Sequence, residues 1–275
     1  MRRLLFIMAA LLLVGCGGSN KSEVASGSED ILRVGMECGY APYNWTQIDD
    51  ANGAVPIEGS KEFANGYDVI MAKKVAEKLG KKLVVVKTEW DGLTPSLQTG
   101  KIDLIMAGMS PSAKRREEVD FTSRYWISDY VMIVKKGSGY EDAKSIDDFK
   151  GAKITGQLNT VHYDVIDQID GVEKMDPMAD FPQMRVALQS GIIDGYIGEV
   201  PEGLSVEAAT DDLVMVKFGE DSGFTIEDNQ NEIAAAVKKG NSDLLKAATE
   251  VFDAISEEER GEIMAEVIKI QPAVK

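Results

Sequence analysis

Short apolar runs alternate with amphipathic helical stretches along most of this chain, and that alternation constrains its fold more than any other feature. Ile31–Met36 and Lys82–Lys87 are apolar or β-branched runs of strand length. Between them Val69, Ala72, Val75, Ala76 and Leu79 recur at helical spacing, and Gly80 is placed to end the helix. A short helix is expected over residues 93–99, stopped by Gly100, and another strand over residues 102–106. Strands separated by helices pair in parallel, with the helices covering the sheet. The expected class is α/β.

Residues 101–122 carry the most information. The run from Ile102 to Met106 is apolar apart from Asp103 and reads as a buried strand. It opens directly into Ala107-Gly108-Met109-Ser110-Pro111-Ser112, a loop of small residues, and then into the charged helical turn Lys114-Arg115-Arg116-Glu117-Glu118. Small residues at a strand's C-terminal end let a ligand approach the backbone. Open α/β sheets bind ligands at that end of their strands. A guanidinium just beyond suits a carboxylate held in two parallel hydrogen bonds. A carboxylate site around Arg115 is therefore expected.

The second half repeats the pattern. Residues 125–134 read as one strand, and residues 135–142 shift to Lys, Gly and Ser, a crossing point between two lobes. A strand is expected at 153–156, a helix at 161–169 with Thr160 as N-cap, a helix at 182–190 closed by Gly191, and a strand at 194–199 that ends on Glu199. Strands at 213–216 and 233–237 follow, then two helices, the last opened by the capping box of Ser256 and Glu259.

The first residues stand apart from the fold. Arg2 and Arg3 precede an apolar run from Leu4 to Val14, about half of what a bilayer-spanning helix needs. Leu13-Val14-Gly15-Cys16 resembles a bacterial lipobox, which implies a lipoprotein signal peptide over 1–15, lipidation of Cys16 and a flexible linker over 16–30. Cys38 is then the single remaining thiol, which excludes a disulfide framework and suits a small core residue. The 275-residue chain carries a net charge of −16 and has no basic patch large enough for nucleic acid. With one histidine, His162, no His-based metal site or Ser-His-Asp triad beyond it is expected, and no phosphate-binding Gly-Lys-Ser/Thr loop is present. No cofactor is expected. That histidine, His162, is expected at the surface or in the cap of its helix.

Four blocks occur in order: Tyr40-Ala41-Pro42-Tyr43; Gly66-Tyr67-Asp68-Val69; Trp90-Asp91-Gly92-Leu93-Thr94-Pro95-Ser96-Leu97 through Ala107-Gly108-Met109-Ser110 to Arg115; and Asp194 to Glu199-Val200-Pro201. With them the chain, from about Leu32 onward, resembles the extracytoplasmic amino-acid-binding proteins of ABC importers, the group with the glutamine-, histidine- and lysine/arginine/ornithine-binding proteins. The resemblance implies a periplasmic-binding-protein-like type II fold: two α/β lobes joined by two crossing strands, with the ligand cleft between. Lobe 1 would hold 31–134 and 227–275, and lobe 2 would hold 135–226. Arg115 would grip the ligand's α-carboxylate, with a hydroxyl from Ser110 and the backbone N–H of Thr160. Gly108 would offer a carbonyl to the ammonium, and Glu199 would pair with it where the family usually has Asp. Tyr40 and Trp90 would sandwich the side chain. Glu37 matches a position that contacts cationic side chains, which favours a basic ligand.

Two departures stand out: Asn159-Thr160-Val161 replaces the usual Gly-Thr-Thr, and Ile70 replaces an acid two residues after Asp68. The partners implied are a free basic or polar amino acid, the membrane subunits of an ABC permease, and the membrane through the lipid on Cys16. The chain would be a monomer, extracytoplasmic, anchored on the outer face or held in the periplasm. It would not be an enzyme. The competing expectation is a cyclohexadienyl-dehydratase-like enzyme, which shares this fold and would use Glu199 as general acid. A nearby Arg115 opposes it, because an acid catalyst needs a raised pKa.

Overall fold

The computed structural model of the chain describes residues 30–227 and 229–272. The signal peptide expected over 1–15, residues 16–29 of the linker expected over 16–30, and the lipidation expected at Cys16 lie outside the described residues. No described helix is long and apolar enough to cross a membrane.

Two five-stranded sheets organise the molecule. In the first, the order is Lys82–Lys87, Ile31–Met36, Leu104–Ile105, Glu232–Lys238, Val119–Ile127. In the second it is Glu173–Lys174, Lys153–Thr155, Gly195–Glu199, Tyr130–Lys135, Leu213–Val216. The first three strands of each sheet run parallel, and the fourth returns antiparallel. The α/β class and the two-lobed periplasmic-binding-protein-like architecture are thus the ones expected.

A shared detail explains the acid inside each parallel strand region. Asp103 accepts from the Arg33 backbone N–H at 2.8 Å, and Asp194 accepts from the Lys153 backbone N–H at 2.8 Å. Each acid ties the strand it precedes to its neighbour where regular pairing begins. Around the first sheet, Val34, Met36, Val69, Val75, Leu93 and Leu104 form one apolar core, and Phe149, Ile154, Ile166 and Ile197 anchor a core in the second lobe. Cys38 is a buried member of the first cluster, and burial pushes its thiol up to about 12. It packs as a small apolar group.

The crossings between lobes differ from the expectation. Residues 125–134 are not one strand. Val119–Ile127 lies at the edge of the first sheet, while Tyr130–Lys135 pairs with Gly195–Glu199 and Leu213–Val216 in the second. The break is at Ser128-Asp129, so lobe 2 begins before residue 130 rather than at 135. The polar composition of 135–142 marks a surface turn and not the crossing. The return passes between Val216 and Glu232. Ser128 donates its backbone N–H to Asn231 O at 3.1 Å, and that bond ties the two crossings side by side.

Candidate functional site

The cleft between the lobes receives its groups from loops that follow strand ends. From lobe 1, the strand Leu104–Ile105 delivers Ala107-Gly108-Met109-Ser110. Gly108 has a φ of +61°, and a Cβ there would stand 2.7 Å from the Tyr40 ring, so both backbone and packing demand glycine. Below it, buried Asp68 accepts from Tyr125 Oη at 2.6 Å, from Asn44 Nδ2 at 2.8 Å and from the Gly108 backbone N–H. Burial nevertheless raises its carboxyl to about 7.

Arg115 lies on the short helix Ala113–Glu118, whose N-cap Ser112 accepts from the Arg115 backbone N–H. Its guanidinium stacks over the Trp90 ring at 4.9 Å and donates to two carbonyls: Nη1 to Ser110 O at 2.8 Å and Nη2 to Asn159 O at 3.0 Å. Among the described residues it has no carboxylate partner. Burial pulls it down to about 10, so it stays charged at neutral pH.

From lobe 2, the strand Gly195–Glu199 ends on Glu199, which is 1% exposed. Its Oε2 accepts from Tyr43 Oη at 2.6 Å and Tyr40 Oη at 3.3 Å, both supplied by lobe 1. Burial, then the Glu199 charge, push both phenols well above their ordinary value, so they remain donors. Oε1 faces His162 Nε2 at 3.4 Å and has no hydrogen-bond partner. No lysine or arginine among the described residues pairs with Glu199.

The expected residues come together, with changes of detail. Tyr40, Trp90, Gly108, Ser110, Arg115 and Thr160 all line one residual space of about 10 Å³, with Gln157 and His162. Two larger hollows flank it along the lobe junction: one of about 460 Å³ beside Glu37 and Asp180, and one of about 480 Å³ beside Trp90, Arg115 and Asp164. Glu37 faces the first hollow rather than the central space. Its Oε1 accepts from Gln157 Nε2 of lobe 2 at 2.8 Å, while Oε2 is buried without a partner, and that burial raises the carboxyl to about 8. Tyr40 stacks on Phe181 of lobe 2 at 4.0 Å instead of facing Trp90 across the space. Thr160 holds the N-cap position, yet its hydroxyl donates to Gln157 O at 2.7 Å and does not cap. The helix expected over 161–169 is one α-turn, Val161–Asp164, tightening into a 3-10 turn over Val165–Gln168. Its dipole is correspondingly weak.

Reasoning from the sequence missed several cleft residues. Tyr43 was visible in the aromatic loop but had no role. Asn159 has a φ of +58°, donates Nδ2 to Asp91 at 2.9 Å, and offers its carbonyl to Arg115 and, at 3.4 Å, to Trp90 Nε1. His162 is 5% exposed and neither a surface nor a capping group. These contacts close the lobes on each other.

The family model for bacterial extracellular solute-binding proteins, family 3, matches residues 32–268. A probable histidine-binding protein of Campylobacter jejuni is 29% identical over 250 residues, covering 86% of this chain and 89% of its own. The L-cystine-binding protein of Escherichia coli K12 is 32% identical over 227 residues, covering 82% of this chain and 76% of its own. Among solved structures, an amino acid ABC transporter substrate-binding protein from Streptococcus pneumoniae, bound to L-arginine, superposes with a TM-score of 0.77 at 25% identity, covering 89% of this chain and 96% of its own.

Proposed function

Because the chain belongs to the bacterial extracellular solute-binding proteins of family 3, we propose that it captures an amino acid between its lobes and delivers it to an ABC permease. One observation carries this reading. A half-buried guanidinium from lobe 1 and a buried carboxylate from lobe 2 face the lobe junction, and among the described residues Arg115 pairs with no carboxylate and Glu199 with no lysine or arginine. A zwitterion satisfies both. Its carboxylate takes the Arg115 fork when the Asn159 carbonyl gives way, and its ammonium takes Glu199. Each charge-assisted bond contributes about 1.5–3 kcal/mol. Only a ligand that touches both lobes shifts their equilibrium toward closure.

The side chain is the finer matter. Glu37 lies in the adjoining hollow with one oxygen unpartnered, which favours a cationic side chain, and Gln157 must release it. The relatives named for histidine, cystine and arginine keep polar alternatives in the test. We place lipid attachment at Cys16, on the extracytoplasmic face, and take the chain to act as a monomer. The dehydratase reading is not favoured, because the relatives and structural neighbours reported above are binding proteins.

A thermal-shift panel of the twenty amino acids and cystine tests the proposal. Stabilisation by one or two members, growing with the logarithm of concentration, is expected. No response to any member overturns it.

A further inference from the structure

Gln157 stands where the central space and the hollow beside Glu37 adjoin. It lines the space and not the hollow, Glu37 lines the hollow and not the space, and one hydrogen bond joins the two side chains. Gln157 is 2% exposed. Its Nε2 gives one hydrogen to Glu37 Oε1 of lobe 1 at 2.8 Å and the other to Ala179 O of lobe 2 at 3.0 Å. A backbone carbonyl can only accept, so Ala179 fixes which end of the amide faces Glu37. The backbone is held as well. Residue 157 bridges to Met178, and its carbonyl accepts from Thr160 Oγ1 at 2.7 Å. Movement is left to the side chain.

We propose that Gln157 selects the ligand's side chain, by holding on Glu37 the place of a nitrogen donor that the ligand must bring. This rests on the amino-acid-binding function proposed above. The class admitted is an amino acid with a nitrogen donor far from its α-carbon: a guanidinium, a long-chain ammonium, an imidazole, or the second ammonium of cystine. Such a donor replaces Nε2 on Glu37 one for one. It also meets Glu37 Oε2, which is buried without a partner. Asp180, which lines the same hollow, is already taken at both oxygens by Gln183.

The amide works as an internal competitor. Its bond to Ala179 lies within lobe 2 and survives the exchange. The N–H withdrawn from Glu37 must find a new acceptor inside the closed protein, and a buried donor left without one is penalised. A ligand therefore has to bring a better donor than a neutral amide, and a charged nitrogen is one. A side chain with no donor gives Glu37 nothing in place of the amide. It binds only with Gln157 still on Glu37, where that bond helps to hold the lobes together.

The test is Gln157→Met, which keeps an unbranched side chain of similar length and removes the amide. Calorimetry compares wild type and variant on arginine, lysine, histidine and cystine, and on alanine, serine and leucine. The variant should shift preference toward the distal-nitrogen group by about tenfold, the worth of one hydrogen bond to a charged group. An amide with a merely structural role would, on removal, weaken every ligand alike. A crystal structure of the wild type with its tightest ligand needs no variant. It should show the ligand's distal nitrogen within hydrogen-bond distance of Glu37 and Gln157 Nε2 withdrawn. Equal shifts in both groups, a shift away from the distal-nitrogen group, wild-type binding of donor-free side chains only, or Gln157 still on Glu37 beside a distal-nitrogen ligand overturns this inference and leaves the function standing. Wild-type binding of no amino acid removes both.

Discussion

Glu199 and Glu202 are three residues apart, both buried, and differ in how their charges are met. Glu202 is answered inside its own lobe. Its Oε1 accepts from Arg185 Nε at 3.2 Å and Nη2 at 3.0 Å, and from Tyr196 Oη at 2.8 Å. Burial alone would lower Arg185, yet Glu202 holds it above its ordinary value. Glu199 has only two phenols, from the opposite lobe, and an imidazole. The lesson is that burial of a charge does not by itself mark a binding site. What distinguishes Glu199 is where its partners come from. A charge completed within one lobe holds that lobe together, and a charge completed across the junction registers whether the lobes have met.

Arg185→Ala should have the largest effect, because it leaves Glu202 charged and unpaired in the interior. A loss of about 3–5 kcal/mol of stability is expected by chemical denaturation, with amino-acid affinity of the folded fraction little changed. A loss confined to affinity would break the distinction. Glu199→Gln should do the reverse. Denaturation midpoints should hold or rise, and calorimetric affinity should weaken by about 1.5–3 kcal/mol, the worth of one charge-assisted bond.

Glu37 sharpens the comparison through pH. Its carboxyl rises from 4.5 to about 8 by burial, so the folded, closed protein holds a proton that the unfolded chain releases. Stability from that proton is complete below pH 4.5 and is lost as pH climbs through about 8. Thermal melts of the ligand-free protein should decline across that window, and Glu37→Gln should decline less. A cationic ligand should expel the proton, visible at pH 6 as buffer-dependent binding heat. Equal heats in buffers of different ionisation enthalpy would separate Glu37 from the ligand.

Asn159→Gly is the mildest change. It keeps the left-handed backbone but deletes the exposed bond to Asp91, worth about 0.5–1.5 kcal/mol. X-ray scattering of the ligand-free variant should show a larger radius of gyration. An unchanged curve would show that this bond does not favour closure.

Much of the fold was legible because strand and helix periods are local properties. Asp103 stood out as an acid in an apolar strand, and it and Asp194 both prove to be strand-to-strand ties. Arg115 stood out in the helical turn after a strand, whereas Glu199, at a strand end, was singled out only through the family resemblance. The misplaced crossing has a clear cause: Tyr125–Ile127 and Tyr130–Val134 are both β-forming, and only the two residues Ser128-Asp129 divide them where the chain changes sheet. His162 was misplaced because its burial is tertiary: on the first turn Val161–Asp164 its ring packs edge-on against Tyr130 and Phe181, which come from other segments. Tyr43, Phe181 and Asn159 owe their places to the approach of distant segments, which no window of sequence contains.

The bond from Ser128 to Asn231 sets how this molecule can move. Two strips of backbone fastened edge to edge make a ribbon, and a ribbon flexes easily across its flat face but strongly resists shear between its strips. A fastening of that kind favours a swing of the lobes about Ser128 and Asn231 over a slide of one past the other.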